Sequence, residues 1–163
     1  DKEISFLLLF SIGTYCALRI SDILVRTWDE FYDKDLVTVT EKKTKKIREI
    51  PIHPHLKELI KRNYNGQCLD ELIFKGNSKI GHLSIQHANR KIKTLLKKYN
   101  VNGQRFSSHL FRKTFGRHMW NQNGQSEYAL FVLCEIFGHS SISVTKRYLN
   151  ITEEEIKDVF LKL

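Results

Sequence analysis

The sequence predicts an α+β fold that is mainly α-helical and contains one small antiparallel β-sheet. Apolar residues recur at helical spacing over most of the 163 residues, whereas a β-branched segment in the first third ends at a lysine-rich turn. The length suits one domain with its own core, and a hydrophobic fraction of 41% is typical of a globular protein. We therefore expect a single domain over residues 1–163.

The first elements are two helices. Residues 4–16 are rich in Ile, Leu and Phe, which predicts a buried helix. Their apolar run is too short to span a bilayer and lacks the marks of a signal peptide, so no membrane association is expected. Ser21 is a candidate N-cap for a second short helix that reaches about Thr27. Arg19 would then lie at or near the junction between the two helices.

A β-hairpin is predicted next. Residues 36–40 alternate Val with Thr and predict a strand, and residues 47–52 predict its partner. Between them, residues 41–46 contain four lysines and predict the turn. Residues 72–74 are a candidate for a third short strand.

The remaining helical patterns cover residues 54–64, 84–99, 109–121, 126–137 and 144–149. Ser84 is the expected N-cap of the second of these helices, and Ser107 or Ser108 that of the third. Gly138 is expected to end the fourth, because glycine is the usual residue after a helix C-terminus. Thr152 and Glu155 form a capping-box pattern that predicts a last helix.

The charge of the chain favours an anionic partner. The formal net charge is +9, from 27 Lys and Arg against 18 Asp and Glu. Nucleic acid suits such a charge best, because a basic protein gains affinity by displacing counterions from phosphates. A basic surface that binds nothing is the alternative, so the positions of the charges must decide.

The cysteines do not predict a metal site. Cys16, Cys68 and Cys134 are odd in number, and no pair has the spacing of zinc ligands or of a CxxC motif. We expect reduced and mostly buried thiols, as in the cytosol.

Basic residues concentrate in the predicted hairpin. Five cations occur within seven residues: Lys42, Lys43, Lys45, Lys46 and Arg48. Such a turn commonly keeps a sheet edge soluble. Alternatively, it lies along DNA, with one lysine donating a proton to a leaving oxygen at the reacting phosphate.

Three further side chains have the chemistry of a phosphate site. His109 and Arg112 are three residues apart, so a helix places them on one face, where they can act on one phosphate. Tyr148 follows Gly138-His139 by nine residues, and a tyrosine can attack phosphorus once its proton is removed. Taken singly, each has a plainer interpretation: a surface His and Arg, and a tyrosine packed against the core.

The order and spacing of these motifs resemble the catalytic domain of the tyrosine recombinases, or phage-type integrases. Residues 17–22, Ala-Leu-Arg-Ile-Ser-Asp, are similar to the Gly-Leu-Arg-x-Ser-Glu box of that family. Lys43, eight residues before Pro51, lies where the family has its hairpin lysine. Residues 135–148 are similar to its Leu-Gly-His-Ser-Ser…Tyr box. The resemblance extends from about Gly13 to Tyr148, and Lys113 stands where the family often has His.

The resemblance implies a tyrosine-recombinase-like fold with one pocket around the scissile phosphate, formed by Arg19, Lys43, His109, Arg112, His139 and Tyr148. The two arginines would bind the non-bridging oxygens, and His139 would add a third donor. One such donor is worth roughly 10²–10³ in rate.

The other three residues would move protons and form the covalent bond. Tyr148 would become joined to the 3′ phosphate, while His109 accepts or relays its proton. Lys43 would protonate the departing 5′ oxygen, although Lys45 or Lys46 could replace it, because register is weakly fixed in such a turn. A 5′ hydroxyl from another strand would then restore the DNA, with neither cofactor nor metal nor ATP.

Double-stranded DNA is the implied partner, with Lys42, Lys45, Lys46 and Arg48 as further DNA contacts. The resemblance also implies a cytoplasmic, nucleoid-associated enzyme of bacterial or phage origin, and tetramer assembly of the full-length protein on DNA. We expect the chain to be a fragment that lacks an N-terminal DNA-clamping domain. Apolar residues recur near the C-terminus, and either cover the chain's own core or dock on a neighbouring subunit: Ile156, Val159, Phe160 and Leu163.

Two other functions remain open at this stage. A type IB topoisomerase uses the same tyrosine chemistry but relaxes supercoils within one duplex. A DNA-binding module that kept the fold without its activity would be expected to lack one or more of the six site residues, all of which are present.

Overall fold

A computed structural model describes residues 2–76, 81–101 and 107–151, with side chains from residue 6 onward. The chain divides into two compact units, which we call the first unit (Asp1–Arg112) and the second unit (Lys113–Leu163). The elements, in chain order, are α1 (Lys2–Cys16), α2 (Ile20–Ile23), β1 (Leu36–Thr40), β2 (Ile47–Pro51), α3 (Pro54–Asn63), α4 (Ile85–Lys98), α5 (His109–Gln122), α6 (Glu127–Phe137) and α7 (Ile142–Leu149). The mainly helical α+β fold is thus confirmed.

Helix α1 is close to its predicted position, whereas α2 ends at Ile23, four residues before the predicted end at about Thr27. Helix α1 ends at Cys16, and Ala17 follows with a left-handed backbone (φ 53°). The prediction that Ser21 caps α2 is wrong, because the helix already begins at Ile20. Its N-cap is Arg19, whose carbonyl accepts hydrogen bonds from the backbone N–H groups of Asp22 (2.8 Å) and Ile23 (3.0 Å).

The predicted hairpin is confirmed. Strands β1 and β2 are antiparallel, and Val37 and Val39 face the core. In the turn, the N–H of Glu41 donates to the carbonyl of Lys46 and the N–H of Lys45 to that of Glu41, both at 2.9 Å. Lys45 adopts a left-handed backbone (φ 59°), which lets the chain reverse.

The third predicted strand does not form. Within the described residues, the sheet has two strands, and Leu72 makes only an isolated bridge with Thr27. The chain turns at Ile73 and Phe74, immediately after that bridge, and the next bridge, between Lys75 and His82, is also isolated. Ile73 and Phe74 instead bury their side chains in the core.

The core of the first unit joins the hairpin to helices α1 to α4 and to the start of α5. Its members include Leu9, Val39, Leu56, Ile92 and Phe111. As predicted, Ser84 caps α4, and its hydroxyl accepts from the N–H of His87 at 3.1 Å.

The second unit contains the rest of α5 together with α6 and α7. Ser126 caps α6, and Gly138 ends it in the left-handed conformation (φ 61°), as predicted. Helix α7 begins at Ile142, two residues earlier than expected, because Ser141 caps it by accepting from the N–H of Val144. The predicted last helix and the apolar stripe beyond Ile151 lie outside the described residues.

No single helix in the described part of the chain is both long and apolar enough to cross a membrane. Helices α6 and α7 reach that length and apolar content only when they are counted together, and the chain bends by 91° between them.

Candidate active site

The predicted site residue Arg19 is fixed by an ion pair. Its Nη1 donates to Oε2 of Glu41 at 2.6 Å, and only 19% of the Arg19 side chain is exposed. Arg19 is the N-cap of α2, and Glu41 is the first residue of the hairpin turn. The ion pair therefore links the start of α2 to the lysine-rich turn.

Hydrogen bonds hold the turn at both sequence neighbours of Lys43. The backbone N–H of Lys42 donates to Oδ1 of Asp22 at 3.0 Å, and the hydroxyl of Thr44 donates to Oε2 of Glu41 at 2.6 Å. Lys43 lies between these two anchors, and its side chain is exposed. The backbone position of Lys43 is thus set by contacts of its two neighbours with acidic side chains.

The predicted DNA-binding residues differ in their surroundings. Lys42, Lys45 and Lys46 are exposed, as expected for residues that contact a large anion. Arg48 is half-buried instead, and its Nη1 contacts Oε1 of Glu41 at 3.2 Å. The guanidinium of Arg48 is therefore partly neutralised by a carboxylate of the protein itself.

Helix α5 places His109 and Arg112 at its start. Arg112 is only 4% exposed, and its Nη1 donates to the carbonyl of Ala17 at 2.7 Å, two residues before Arg19 in the sequence. His109 is exposed. The helix start is anchored by the N–H of Ser108, which donates to Oδ1 of Asn89 at 2.9 Å.

In the second unit, His139 lies beside Tyr148. Their ring centroids are 5.1 Å apart, and the rings meet edge to face. Nδ1 of His139 is within 3.0 Å of the hydroxyl of Thr145, which is fully buried. The buried ring of Phe137 contacts the rings of both His139 and Tyr148, at 5.3 Å in each case.

Lys113 brings a cation close to Tyr148. Its Nζ is 5.6 Å from the centroid of the Tyr148 ring and donates to Oδ1 of Asn150 at 3.2 Å. Asn150 is the left-handed C-cap of α7 (φ 54°), so this contact ties the end of α7 to α5 within the second unit.

The six predicted site residues thus form two groups. Arg19, Lys43, His109 and Arg112 belong to the first unit, and His139 and Tyr148 to the second. Among them, Arg19 is linked to the turn that holds Lys43, and His139 lies against Tyr148.

Two acidic residues in this region, Glu41 and Asp22, were not predicted as site residues. Both are buried, and both hold the turn. Burial alone would raise the pKa of Glu41, but hydrogen bonds from Thr44, Arg19 and Arg48 and the charge of Arg19 outweigh it and hold the pKa below its usual value. Asp22 is the last residue of the Ala-Leu-Arg-Ile-Ser-Asp motif and Glu41 the first residue of the predicted turn, but neither position indicates which group the acid contacts.

The cysteines and possible metal ligands can also be located. Cys16 and Cys134 are buried and Cys68 is exposed, and burial raises the pKa of the Cys16 thiol to about 12. In the described ranges, no group of three or more His, Cys, Asp or Glu side chains could hold a metal ion.

A family model described as the phage integrase family matches residues 1–155. The chain belongs to the phage integrase family. Among its integrase relatives is the probable integrase/recombinase YoeC of Bacillus subtilis, 32% identical over 160 residues that make up 98% of this chain and 84% of YoeC. A protein named tyrosine recombinase from Pseudothermotoga lettingae is 28% identical, over 96% of this chain and 53% of that protein.

A solved structure also shares the integrase catalytic fold. The site-specific recombinase XerH, in a pre-cleavage complex with its difH substrate, superposes with a TM-score of 0.63 at 15% identity. The match covers 93% of this chain and 44% of XerH. At this identity the likeness shows the fold. The chain spans about half the length of the P. lettingae relative and of XerH.

Proposed function

We propose that this chain is the DNA-cleaving domain of a site-specific tyrosine recombinase in which Tyr148 is the nucleophile. The main support is the placement of Tyr148 against His139, whose imidazole Nδ1 contacts the hydroxyl of Thr145. A hydrogen-bonded His beside a tyrosine is suited to bind a phosphate that the tyrosine attacks. Family membership supports the same reading.

In the proposed reaction, Oη of Tyr148 attacks the scissile phosphorus and gives its proton to His109. The bond from phosphorus to the 5′ oxygen breaks, and that oxygen takes a proton from Lys43. The product is a 3′-phosphotyrosine bond and a free 5′ hydroxyl. Attack by a 5′ hydroxyl of a second strand reverses these steps, so the bond energy is conserved and no ATP is consumed.

Arg19, Arg112 and His139 are proposed to stabilise the charge that develops on the non-bridging oxygens. The two guanidiniums are held in advance, Arg19 by Glu41 and Arg112 by the carbonyl of Ala17. Preorganised donors of this kind act without reorganisation during the reaction.

Lys43 is the preferred general acid among the hairpin lysines. Both of its neighbours contact buried carboxylates, whereas the backbone hydrogen bonds described for Lys45 and Lys46 are to other residues of the turn. A proton donor has to lie within hydrogen-bonding distance of the leaving oxygen, so a fixed backbone favours Lys43.

Double-stranded DNA is the proposed substrate. XerH is bound to a DNA substrate in its solved structure, and this chain has a net charge of +9 with exposed lysines in the hairpin turn. We further infer that the full-length protein assembles as a tetramer on DNA in the cytoplasm. Both relatives described above bear recombinase names, so neither a topoisomerase nor an inactive binding module is favoured.

The test is covalent trapping of the protein on DNA. Sequencing DNA trapped on the full-length protein identifies the cleavage site, from which a nicked suicide substrate is made. We expect wild-type protein to form an adduct that resists denaturant, and Tyr148→Phe to form none.

Tyr128→Phe is the matched control, because Tyr128 lies on α6 in the same unit and is 74% exposed. It should form the adduct as wild type does. An adduct formed by Tyr148→Phe would show that another residue is the nucleophile.

A further inference from the structure

One buried acid lies among the basic side chains of the first unit. The Glu41 side chain is only 3% exposed. Its Oε2 accepts from Nη1 of Arg19 and from the hydroxyl of Thr44, both at 2.6 Å, and its Oε1 accepts from Nη1 of Arg48 at 3.2 Å. Both oxygens of the carboxylate are therefore occupied by donors.

An acid at this place has a cost for the proposed reaction. A carboxylate near a phosphate-binding arginine repels the phosphate and takes up part of the guanidinium's donor capacity. A buried carboxylate is also costly to desolvate unless it is well paired, and an apolar replacement of a buried ion pair is often neutral or stabilising. A contribution to the stability of the fold is therefore, by itself, a weak explanation for a glutamate at this position.

The geometry gives Glu41 a second role. One oxygen atom contacts both Arg19 and Thr44, and Thr44 is the residue directly after Lys43. On the other side of Lys43, the N–H of Lys42 is held by Asp22, which belongs to the same short helix that Arg19 caps. The carboxylate of Glu41 thus joins the arginine and the lysine-bearing turn through a single atom.

We propose that Glu41 is a positioning residue that fixes Arg19 and the turn of Lys43 relative to one another for strand cleavage. This role rests on the proposed function. Glu41 does not touch the phosphate; it acts through the guanidinium of Arg19 and through the hydroxyl of Thr44. Loss of the carboxylate should therefore slow cleavage more than it weakens DNA binding.

The experiment measures single-turnover cleavage and DNA affinity of the full-length protein on the nicked substrate. Glu41→Gln keeps the shape of the side chain but removes its charge. We expect cleavage at saturating DNA to slow roughly 10- to 100-fold, as for a displaced catalytic group, while Kd changes little. Glu41→Asp should recover part of the rate, because it restores the charge.

A second substrate separates the two branches of the contact. Sulfur in place of the leaving 5′ oxygen departs as a thiolate, which needs no proton because thiols are far more acidic than alcohols. Thr44→Val removes only the hydroxyl that reaches Glu41. We expect this variant to cleave the oxygen substrate more slowly than wild type, and to cleave the sulfur substrate at the wild-type rate. The loss of rate in Glu41→Gln should shrink but persist, because the Arg19 branch is also broken.

Glu30→Gln is the matched control. Glu30 also forms an ion pair of 2.6 Å in the first unit, with Arg26, and none of its contacts in the described part of the chain reaches the turn. It should cleave both substrates at the wild-type rate.

The outcomes separate this role from the proposed function. Absence of any adduct with wild-type protein would overturn the proposed function, and this role with it. Normal wild-type cleavage with an equal or faster rate in Glu41→Gln would overturn the role of Glu41 alone. The role of Glu41 would also be overturned if Thr44→Val remained slow on the sulfur substrate. A loss of DNA affinity in Glu41→Gln as large as its loss of cleavage rate would overturn it as well.

Discussion

The two units hold their predicted site residues by different forces. In the first unit, Arg19 is paired with a buried carboxylate, and Arg112 donates to a backbone carbonyl. In the second unit, Tyr148 packs edge to face against Phe137, His139 lies tilted against the same ring, and one hydroxyl orients the imidazole. Charge sets the geometry in one region, whereas ring packing sets most of it in the other.

This difference follows from the groups themselves. A guanidinium is charged at any physiological pH, so a half-buried arginine needs an acceptor in the fold before it meets a phosphate. Aromatic rings can be positioned by the apolar surfaces around them. We therefore expect the first unit to respond to changes of charge and the second to changes of shape.

The largest expected effect is that of Arg112→Ala. It removes a proposed phosphate donor and leaves the carbonyl of Ala17 without this hydrogen bond. Cleavage should slow by roughly 10²–10³, and the free energy of unfolding should fall by about 1–3 kcal/mol. Single-turnover cleavage and urea denaturation measure the two effects.

Arg62→Ala is its control, because Arg62 lies on the exposed surface of α3 and pairs only with Glu58 among the contacts described. Cleavage by Arg112→Ala at the wild-type rate would remove Arg112 from the site.

The next effect tests shape in the two units. A methyl group on Gly13 would lie 2.6–2.9 Å from the Cβ, Cγ and Cδ2 atoms of Phe111, the residue before Arg112. Because Cβ of Phe111 cannot move without moving α5, Gly13→Ala should lower the free energy of unfolding by about 1–3 kcal/mol.

Gly116→Ala is the comparison in the second unit. Its new methyl would meet Cδ2 of Leu149 at 2.6 Å and Cζ of Phe137 at 2.9 Å, which are the ends of side chains. These ends can shift, so the loss should be smaller than for Gly13→Ala. A larger loss at Gly116 in urea denaturation would show that the second unit is the more tightly packed.

The smallest effect concerns pH and Glu41. Its pKa in the fold lies below its ordinary value of 4.5, so folding favours the ionised form. The stability gained is complete above about pH 4.5 and is lost as the pH falls through the lower pKa of the folded state. The difference in unfolding free energy between wild type and Glu41→Gln should therefore be constant near neutrality and shrink in acid.

Urea denaturation at a series of pH values measures this difference. Glu127→Gln is the control, because Glu127 is exposed on α6 of the second unit. If the difference in unfolding free energy between wild type and Glu41→Gln instead grew in acid, the ionised carboxylate would not be stabilised by its neighbours.

Sequence patterns predicted the elements whose signals are local. Ser84 and Gly138 act as helix caps at the predicted positions, because each contacts backbone within its own helix. The hairpin was equally local. Ser21 was a false signal, since the helix start was set by the carbonyl of Arg19 instead.

The candidate site was predictable only in part. Six residues were predicted from motif order, but their surroundings depend on contacts between distant segments. Glu41 meets Arg19 across 22 positions, and Arg112 meets Ala17 across 95. No spacing rule relates such partners, so the acids that hold the turn became visible only in the fold.

The left-handed backbone of Ala17 has a consequence for how the protein tolerates mutation. The group that receives Arg112 is a peptide oxygen, and its direction comes from the main chain. No amino-acid substitution at position 17 can remove that backbone oxygen. A glycine there would relieve strain, and a branched residue would add to it. Substitutions at position 17 should therefore change the contact with Arg112 by changing the backbone geometry.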